Sequence, residues 1–343
     1  MPLDTIYLTR HGHRLSWTID YQTGTYKSQF PTPSGNPSDP TLTSHGVRQA
    51  SELAVHILSA DINPKPFRVY SSPFWRCLQT IEPTVRGLNN AKSNGDVPGI
   101  DDNAEFEVRI ENGLGEWFGS TTFFHHPTPP TLDSLLQTKT TPTTTTPFTL
   151  NRSRRNPILY TSTRGESIPQ LHNRLATTLS ALIAEVDAEI DKLESSLPAE
   201  QRSSKAILIC SHAAPLIALG RVLTGHMPED SGEEDFYVYT AGLSTFRRRS
   251  GASGVIGREG KKAEKALAPG TKITNRAGIV IPEWEGARGV GGGWDCVLNG
   301  DCSFLSSGAE RGWHFSGEES FDTGPMAEMA TSAEGELKVG TKL

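Results

Sequence analysis

The sequence predicts an α/β fold in which short buried strands feed into helices, and three observations carry that prediction. Continuous apolar runs at Ile6-Tyr7-Leu8 and Ala206-Ile207-Leu208-Ile209-Cys210, with Arg68-Val69-Tyr70-Ser71 between them, read as strands of the buried kind. Stretches with apolar residues at three- and four-residue steps follow, the clearest at 167–197. The third observation is chemical: each strand runs into a turn with a phosphate-competent side chain. These are Arg10, His11 and Arg14 after the first strand, Arg76 after the second and His212 after the third. Strand ends of open α/β sheets are where such domains place ligands.

The first strand breaks into Arg10-His11-Gly12-His13-Arg14. Charges at the end of a buried strand are costly unless paired, and an anion resting on two arginines and an imidazole supplies the partner. Residues 16–40, rich in Ser, Thr, Pro, Gly and aromatics, read as a long loop near that site. Thr43 begins a helix with Val47, Ala50, Leu53, Ala54, Ile57 and Leu58 on its apolar stripe. After the second strand, Ser72 is the expected N-cap and Pro73 the first helical residue, so Arg76 falls in the first turn. The helix dipole opposes a cation there unless both address a shared anion.

A strand at 106–110 leads to Glu111-Asn112-Gly113-Leu114-Gly115-Glu116-Trp117. Residues 120–157 turn low-complexity, with a Thr-Pro tract at 138–147, and read as an excursion rather than a domain. The helix at 167–197 carries Leu171, Leu175, Leu179, Leu182, Val186, Ile190 and Leu193 on one face. That pattern lasts about three heptads, which favours a packed surface helix over a coiled-coil partner. Ser211-His212-Ala213-Ala214-Pro215 opens a further helix through Leu223, and 236–239 and 243–247 read as strands. The domain closes near Arg249. Residues 250–278 read as a Gly/Lys-rich linker, 279–321 as a small β-rich region and 322–343 as a disordered tail.

With 343 residues, the chain has room for one large domain or two modest ones. A net charge of −6 gives no sign of a nucleic-acid binder. The start of the chain shows no basic stretch leading into an apolar signal segment, and no apolar run approaches the roughly twenty residues needed to cross a bilayer. Four cysteines are too few for a disulfide scaffold of this size. The expectation is a soluble protein of the cytoplasm or nucleus, not secreted, with no membrane association and no direct nucleic-acid contact. Arg247-Arg248-Arg249 with Lys261-Lys262 faintly resembles a split nuclear-import signal, though a solvated basic strand end is the simpler reading.

Taken together, Arg10, His11, Arg14, Arg76, Glu116 and His212 offer three guanidiniums and two imidazoles, a match for a phosphate dianion in charge and hydrogen-bond count. No Asp/His cluster stands at metal spacing, so neither metal nor other cofactor is implied. A neutral imidazole can attack phosphorus, and the arginines stabilise the equatorial oxygens. An acid must protonate the leaving oxygen. Glu116 is the favoured candidate and Glu111 its competitor. Trp17, Tyr21, Trp75 and Phe118 are candidates for an aromatic rim.

Arg10-His11-Gly12 with Arg14, Ser71-Ser72-Pro73 leading to Arg76-Cys77-Leu78-Gln79-Thr80, Gly113-Leu114-Gly115-Glu116-Trp117, and Ser211-His212 resemble the four motifs of the histidine phosphatase (phosphoglycerate mutase-like) superfamily, in the expected order over residues 1–249. The resemblance implies a three-layer sandwich, a mostly parallel sheet with helices on both faces. It implies a phosphomonoester hydrolase of histidine acid phosphatase type, with His11 as the phosphorylated nucleophile and Glu116 as proton donor. It also implies a phosphate pocket of Arg10, Arg14, Arg76 and His212, with His212 a catalytic member too. His13 departs from the pattern, since many members carry Glu or Gln there, and is expected to tune the pocket.

In detail the chain resembles the eukaryotic branch that includes the T-cell ubiquitin ligand phosphatases and the phosphatase-like subunit of fungal transcription factor IIIC. A second, shorter resemblance covers Trp294-Asp295-Cys296-Val297-Leu298-Asn299-Gly300-Asp301-Cys302-Ser303-Phe304-Leu305 and Gly312-Trp313-His314-Phe315-Ser316-Gly317. It is similar to the small domain by which transcription factor IIIC subunits pair with a β-barrel partner. That implies partner binding through 279–321. Cys296, Cys302 and His314 match no common zinc spacing. Two functions stand side by side: a metal-independent phosphatase of unknown substrate, and an assembly subunit in RNA polymerase III transcription whose phosphatase domain is a scaffold or side activity. A mutase is weaker, because intramolecular transfer needs a more closed pocket than the loops at 16–40 and 120–157 suggest.

Overall fold

The computed structural model describes residues 2–138, 147–250, 265–274 and 280–316. The centre of the Thr-Pro tract, Lys261-Lys262, most of the linker and the tail at 322–343 lie outside the described residues.

The elements in order are β1 (Thr5–Arg10), β2 (Trp17–Asp20), β3 (Thr25–Ser28), α1 (Ser44–Leu58), β4 (Pro66–Ser71), α2 (Trp75–Asn94), β5 (Arg109–Ile110) and α3 (Leu132–Gln137). Then come β6 (Leu159–Tyr160), α4 (Ile168–Glu194), β7 (Ala206–Ser211), α5 (Ala213–Thr224), β8 (Leu243–Arg248), β9 (Lys272–Ile273) and β10 (Trp294–Asp301). Among the described residues the central sheet has the order β10-β8-β1-β7-β4-β5. Strands β1, β7, β4 and β5 run parallel, and β8 and β10 complete one side antiparallel. Helix α1, which connects β1 to β4, and α2, which follows β4, pack against each other on one face. The return through β7 puts α4 and α5 on the other. The architecture is the three-layer, mostly parallel sandwich expected from the sequence.

The central strands are hydrophobic on both faces because both are covered: every residue of β1, β4 and β7 is buried. Ser167 caps α4 with a reciprocal Ser167–Gln170 capping box, and Thr43 caps α1, so both helices begin where the sequence places them. None of the described helices is long and apolar enough to cross a membrane.

Register positions the site. Arg10 pairs with Ser211 and Ser71 with Cys210, so the turns after β1, β4 and β7 leave the sheet at one level. Backbone bonds extend the ladder into those turns: His11 N–H donates to the Ser211 carbonyl and Ser72 N–H to the Cys210 carbonyl, each at 3.0 Å. The α1 N-terminus sits directly on the first turn. A Cβ on Gly46 would lie 2.0 Å from the His13 carbonyl oxygen, a distance only glycine avoids.

Several local expectations fail for physical reasons. Ser72 is not the N-cap of α2; the helix starts at Trp75 with Phe74 in that position and no side-chain cap, because the Ser72 hydroxyl is bonded to His212. Val47 is 49% exposed, off the buried stripe of α1. Of 106–110 only Arg109–Ile110 is a strand, and 236–239 is irregular. The loop at 16–40 contains the β2–β3 hairpin. In the C-terminal region β10 joins the central sheet beside β8, and Trp294 and Phe315 are buried in the main core.

Candidate active site

The turn after β1 carries the first half of the site. His11 is buried and its Nδ1 lies 2.8 Å from the Gly12 carbonyl, an acceptor only, so the proton sits on Nδ1 and the lone pair on Nε2. Gly12 N–H donates to Thr80 Oγ1 at 2.9 Å, tying the turn to α2. From the first turn of α2, Arg76 reaches back with no exposed surface: Nη1 donates to the Ser38 carbonyl at 2.9 Å and Nη2 to Glu116 Oε2 at 3.0 Å, while Asp39 lies at 3.6 Å. Its guanidinium stacks over Phe74, with the ring centroid 4.5 Å away. From β7, His212 bonds Ser72 Oγ at 2.8 Å through Nε2 and approaches Glu116 Oε2 at 3.2 Å through Nδ1. The His11 and His212 ring centroids are 5.3 Å apart. Side chains two hundred positions apart thus converge on one point.

The loop carrying Glu116 is clamped from behind. Arg174 of α4 pairs with Glu166 at 2.9 Å and donates to the Gly113 and Gly115 carbonyls at 2.7 and 3.1 Å. Glu111 accepts from Gly113 and Ile158 N–H and from Arg154 at 3.0 Å, so it is a fastener of the loop rather than a member of the pocket.

Electrostatics follow from burial and crowding. Burial, then the charges of Arg76, His212, Arg10 and Arg14, hold the His11 pKa well below 6.5, so His11 is neutral. Burial brings Arg10 down to about 10, and burial with the Arg76 charge brings Arg14 down to about 9. Burial opposes an ionised Glu116, but His212, Arg76 and Arg14 overcome it and hold its carboxyl below the usual range. Burial likewise opposes a charged His212, and the Cys77 sulfur and Glu116 beside it raise its pKa. The Nε atoms of Arg10, Arg14 and Arg76 are all buried without a partner, an arrangement suited to an anion.

All six sequence-predicted residues, Arg10, His11, Arg14, Arg76, Glu116 and His212, meet at this pocket. His11, Glu116 and His212 also present ligand atoms within 4.8 Å of one another, a metal-competent grouping that linear spacing concealed. The three guanidiniums around it make the potential positive, which favours an anion over a divalent cation. His13 lies beside the pocket, bonded to Thr43, with its pKa lowered by burial and by the Arg311 charge. Of the expected aromatic rim, Trp17 lies 5.7 Å from the Arg14 guanidinium and leans on Tyr26 and Phe118. Trp75 is a core residue packed on Phe148, and Tyr21 packs against Phe124. Asp39, Thr80, Arg154 and Arg174 were missed as supporting residues; only Thr80, inside the second motif, had a sequence signal.

Residues 6–96 match the model of the histidine phosphatase superfamily (branch 1). The chain is similar to the transcription factor tau 55 kDa subunit of Saccharomyces cerevisiae, with 28% identity over 317 residues, 92% of this chain and 59% of that protein. It is 31% identical over 130 residues to the ecdysteroid-phosphate phosphatase of Drosophila melanogaster, 33% of this chain and 15% of that one. The chain therefore spans less than two thirds of either relative. Among solved structures it is similar to the ecdysone phosphate phosphatase of Bombix mori in complex with tungstate, at 18% identity and a TM-score of 0.46 over 71% of this chain and 89% of that one. The matched segment, residues 6–96, is the one that supplies Arg10, His11, Arg14 and Arg76.

Proposed function

We propose that the chain is a metal-independent phosphomonoesterase of histidine acid phosphatase type, acting through a phosphohistidine at His11. The observation that carries this reading is a neutral imidazole with Nδ1–H held on the Gly12 carbonyl and its Nε2 lone pair inside a ring of buried guanidiniums. Nε2 attacks phosphorus in line, the N–P bond forms and the P–O bond to the leaving group breaks. Arg10, Arg14 and Arg76 stabilise the equatorial oxygens. Glu116 is ionised in the free protein; a phosphate monoester arriving as its monoanion offsets the same cations, raises the proton affinity of Glu116 and passes its proton to that carboxylate, so the pocket then holds the dianion. Glu116 then gives its proton to the leaving oxygen. In the second half Glu116 takes a proton from water, which displaces His11 and releases phosphate. His212, held between Ser72 and Glu116, orients that carboxylate and adds positive charge.

This reading makes a pH prediction. His11 must be neutral to attack, so kcat/KM rises with pH through its free-protein pKa, which burial and the arginines have lowered. After correction for the substrate's own ionisation near pH ~6, kcat/KM on an aryl phosphate should be at its plateau by pH 6.5, with the acid limb below. An acid limb centred at or above 6.5 would contradict a depressed His11.

Similarity to the tau subunit over most of the chain favours a second, compatible reading: a subunit of transcription factor IIIC, nuclear in location, that docks a β-barrel partner through 279–321. Within that region β10 lies at the sheet edge with Val297 and Leu298 57% and 39% exposed, and Tyr237, whose N–H donates to Asn299 Oδ1 at 3.0 Å, is 45% exposed. Co-expression with the β-barrel subunit should yield a complex that Val297→Asp with Leu298→Asp weakens by about tenfold or more, with turnover unchanged. No complex with the parent chain, or an unaffected double variant, would reject the reading.

A further inference from the structure

Beyond the pocket, the stretch after β10 returns across the site and is pinned at two points. At one, the Glu310 carbonyl accepts from Thr240 N–H at 3.1 Å, and its carboxylate lies 2.5 Å from His45 Nε2 and 3.0 Å from Gln49 Nε2. At the other, Phe315 is 1% exposed against Trp117, their ring centroids 5.5 Å apart. Arg311 sits between these anchors. Its carbonyl accepts from Arg10 Nη1 at 2.5 Å, and its backbone holds a φ of 51°, a left-handed conformation that costs a non-glycine residue and persists only where surroundings enforce it.

The Arg311 side chain is exposed, and among the described residues no carboxylate pairs with it. The neighbouring carboxylate, Glu310, is turned to His45 and Gln49 instead. The Arg311 charge is nevertheless felt inside the site, where it contributes to lowering the pKa values of Arg10, Arg14 and His13. Three guanidiniums and His212, whose pKa is raised, stand against the Glu116 and Asp39 carboxylates and leave two net positive charges, the complement of a phosphate dianion. Arg311 adds one more at the rim, and a simple monoester leaves that charge unanswered.

We propose that Arg311, held over the pocket by the Glu310 and Phe315 anchors, reads a second anionic group on the substrate, so that the preferred substrates are phosphomonoesters carrying a further negative charge within reach of the scissile phosphate. This rests on the phosphate-site reading above. Arg311 is a specificity residue that serves what protrudes from the pocket, while Arg10, Arg14 and Arg76 serve the phosphate itself.

Calorimetric binding of two probes to the full chain separates these roles: inorganic phosphate, which fills only the pocket, and pyrophosphate, which extends a second anionic group from it. Pyrophosphate should bind the parent chain more tightly than phosphate. Arg311→Ala should weaken pyrophosphate about tenfold, the scale of one charge-assisted contact, and leave phosphate within about twofold; Arg311→Lys should restore part of the loss. Glu310→Ala, which frees one anchor, should reproduce the pyrophosphate loss and add little when combined with Arg311→Ala. Unchanged pyrophosphate affinity in Arg311→Ala, or parallel weakening of both anions, would overturn the assignment while the phosphate site stands. Failure of the parent chain to bind either anion would instead remove the phosphate site, and this inference with it.

Discussion

His11→Ala is expected to lower phosphomonoester turnover by about ten-thousand-fold or more, the scale seen when a covalent nucleophile is removed. The protein should stay folded. The His11 side chain makes its hydrogen bond within its own turn, to Gly12, and the backbone bond from His11 N–H to Ser211 survives the substitution. Phosphate affinity should change far less than turnover, since the guanidiniums remain. Steady-state kinetics beside thermal unfolding and phosphate titration would check all three. Residual turnover within about a hundredfold of the parent chain would mean that another group forms the bond to phosphorus.

Arg76→Ala should have the largest combined effect on stability and binding. The guanidinium has no exposed surface, and it answers the Ser38 carbonyl, Asp39 and Glu116 together. Its removal takes the buried cation from beside Asp39 and one of the cations from beside Glu116, a loss of about 3–5 kcal/mol in comparable buried pairs, and takes one of three cations from the phosphate. Arg76→Lys keeps the charge but loses the planar fork that reaches two partners at once, so it should rescue stability only in part. Denaturant unfolding with phosphate titration reads both effects. An Arg76→Ala protein as stable as the parent would show that the Glu116 environment is more solvated than its burial implies.

Much of this was legible in the sequence because strand ends are local events. An apolar run that stops at Arg10-His11-Gly12, or at Ser211-His212, announces a turn with chemistry on it, and parallel strands must bring such turns to one edge. The starts of the helices at Thr43 and Ser167 were readable for the same reason. The Ser72 cap was misread because its hydroxyl serves His212, 140 positions away. The metal-competent spacing of His11, Glu116 and His212 is purely tertiary and leaves no linear trace. The same holds for Arg174, which grips the Glu116 loop from the second turn of α4, where the helical pattern shows only an amphipathic face. Arg311 lies in a segment whose composition resembles a partner-binding tail, and nothing nearby in sequence signals that it lies over the first turn of the chain.

The most direct test is to follow the phosphoryl group. The chain would be mixed with a phosphate-labelled aryl ester, quenched within a turnover in alkaline denaturant, where a phosphoramidate survives, and mapped by peptide. One label per chain on His11, chased by unlabelled substrate and absent from His11→Ala, is the predicted result. Turnover with no label on the chain, or label on another residue, would contradict a phosphohistidine at position 11.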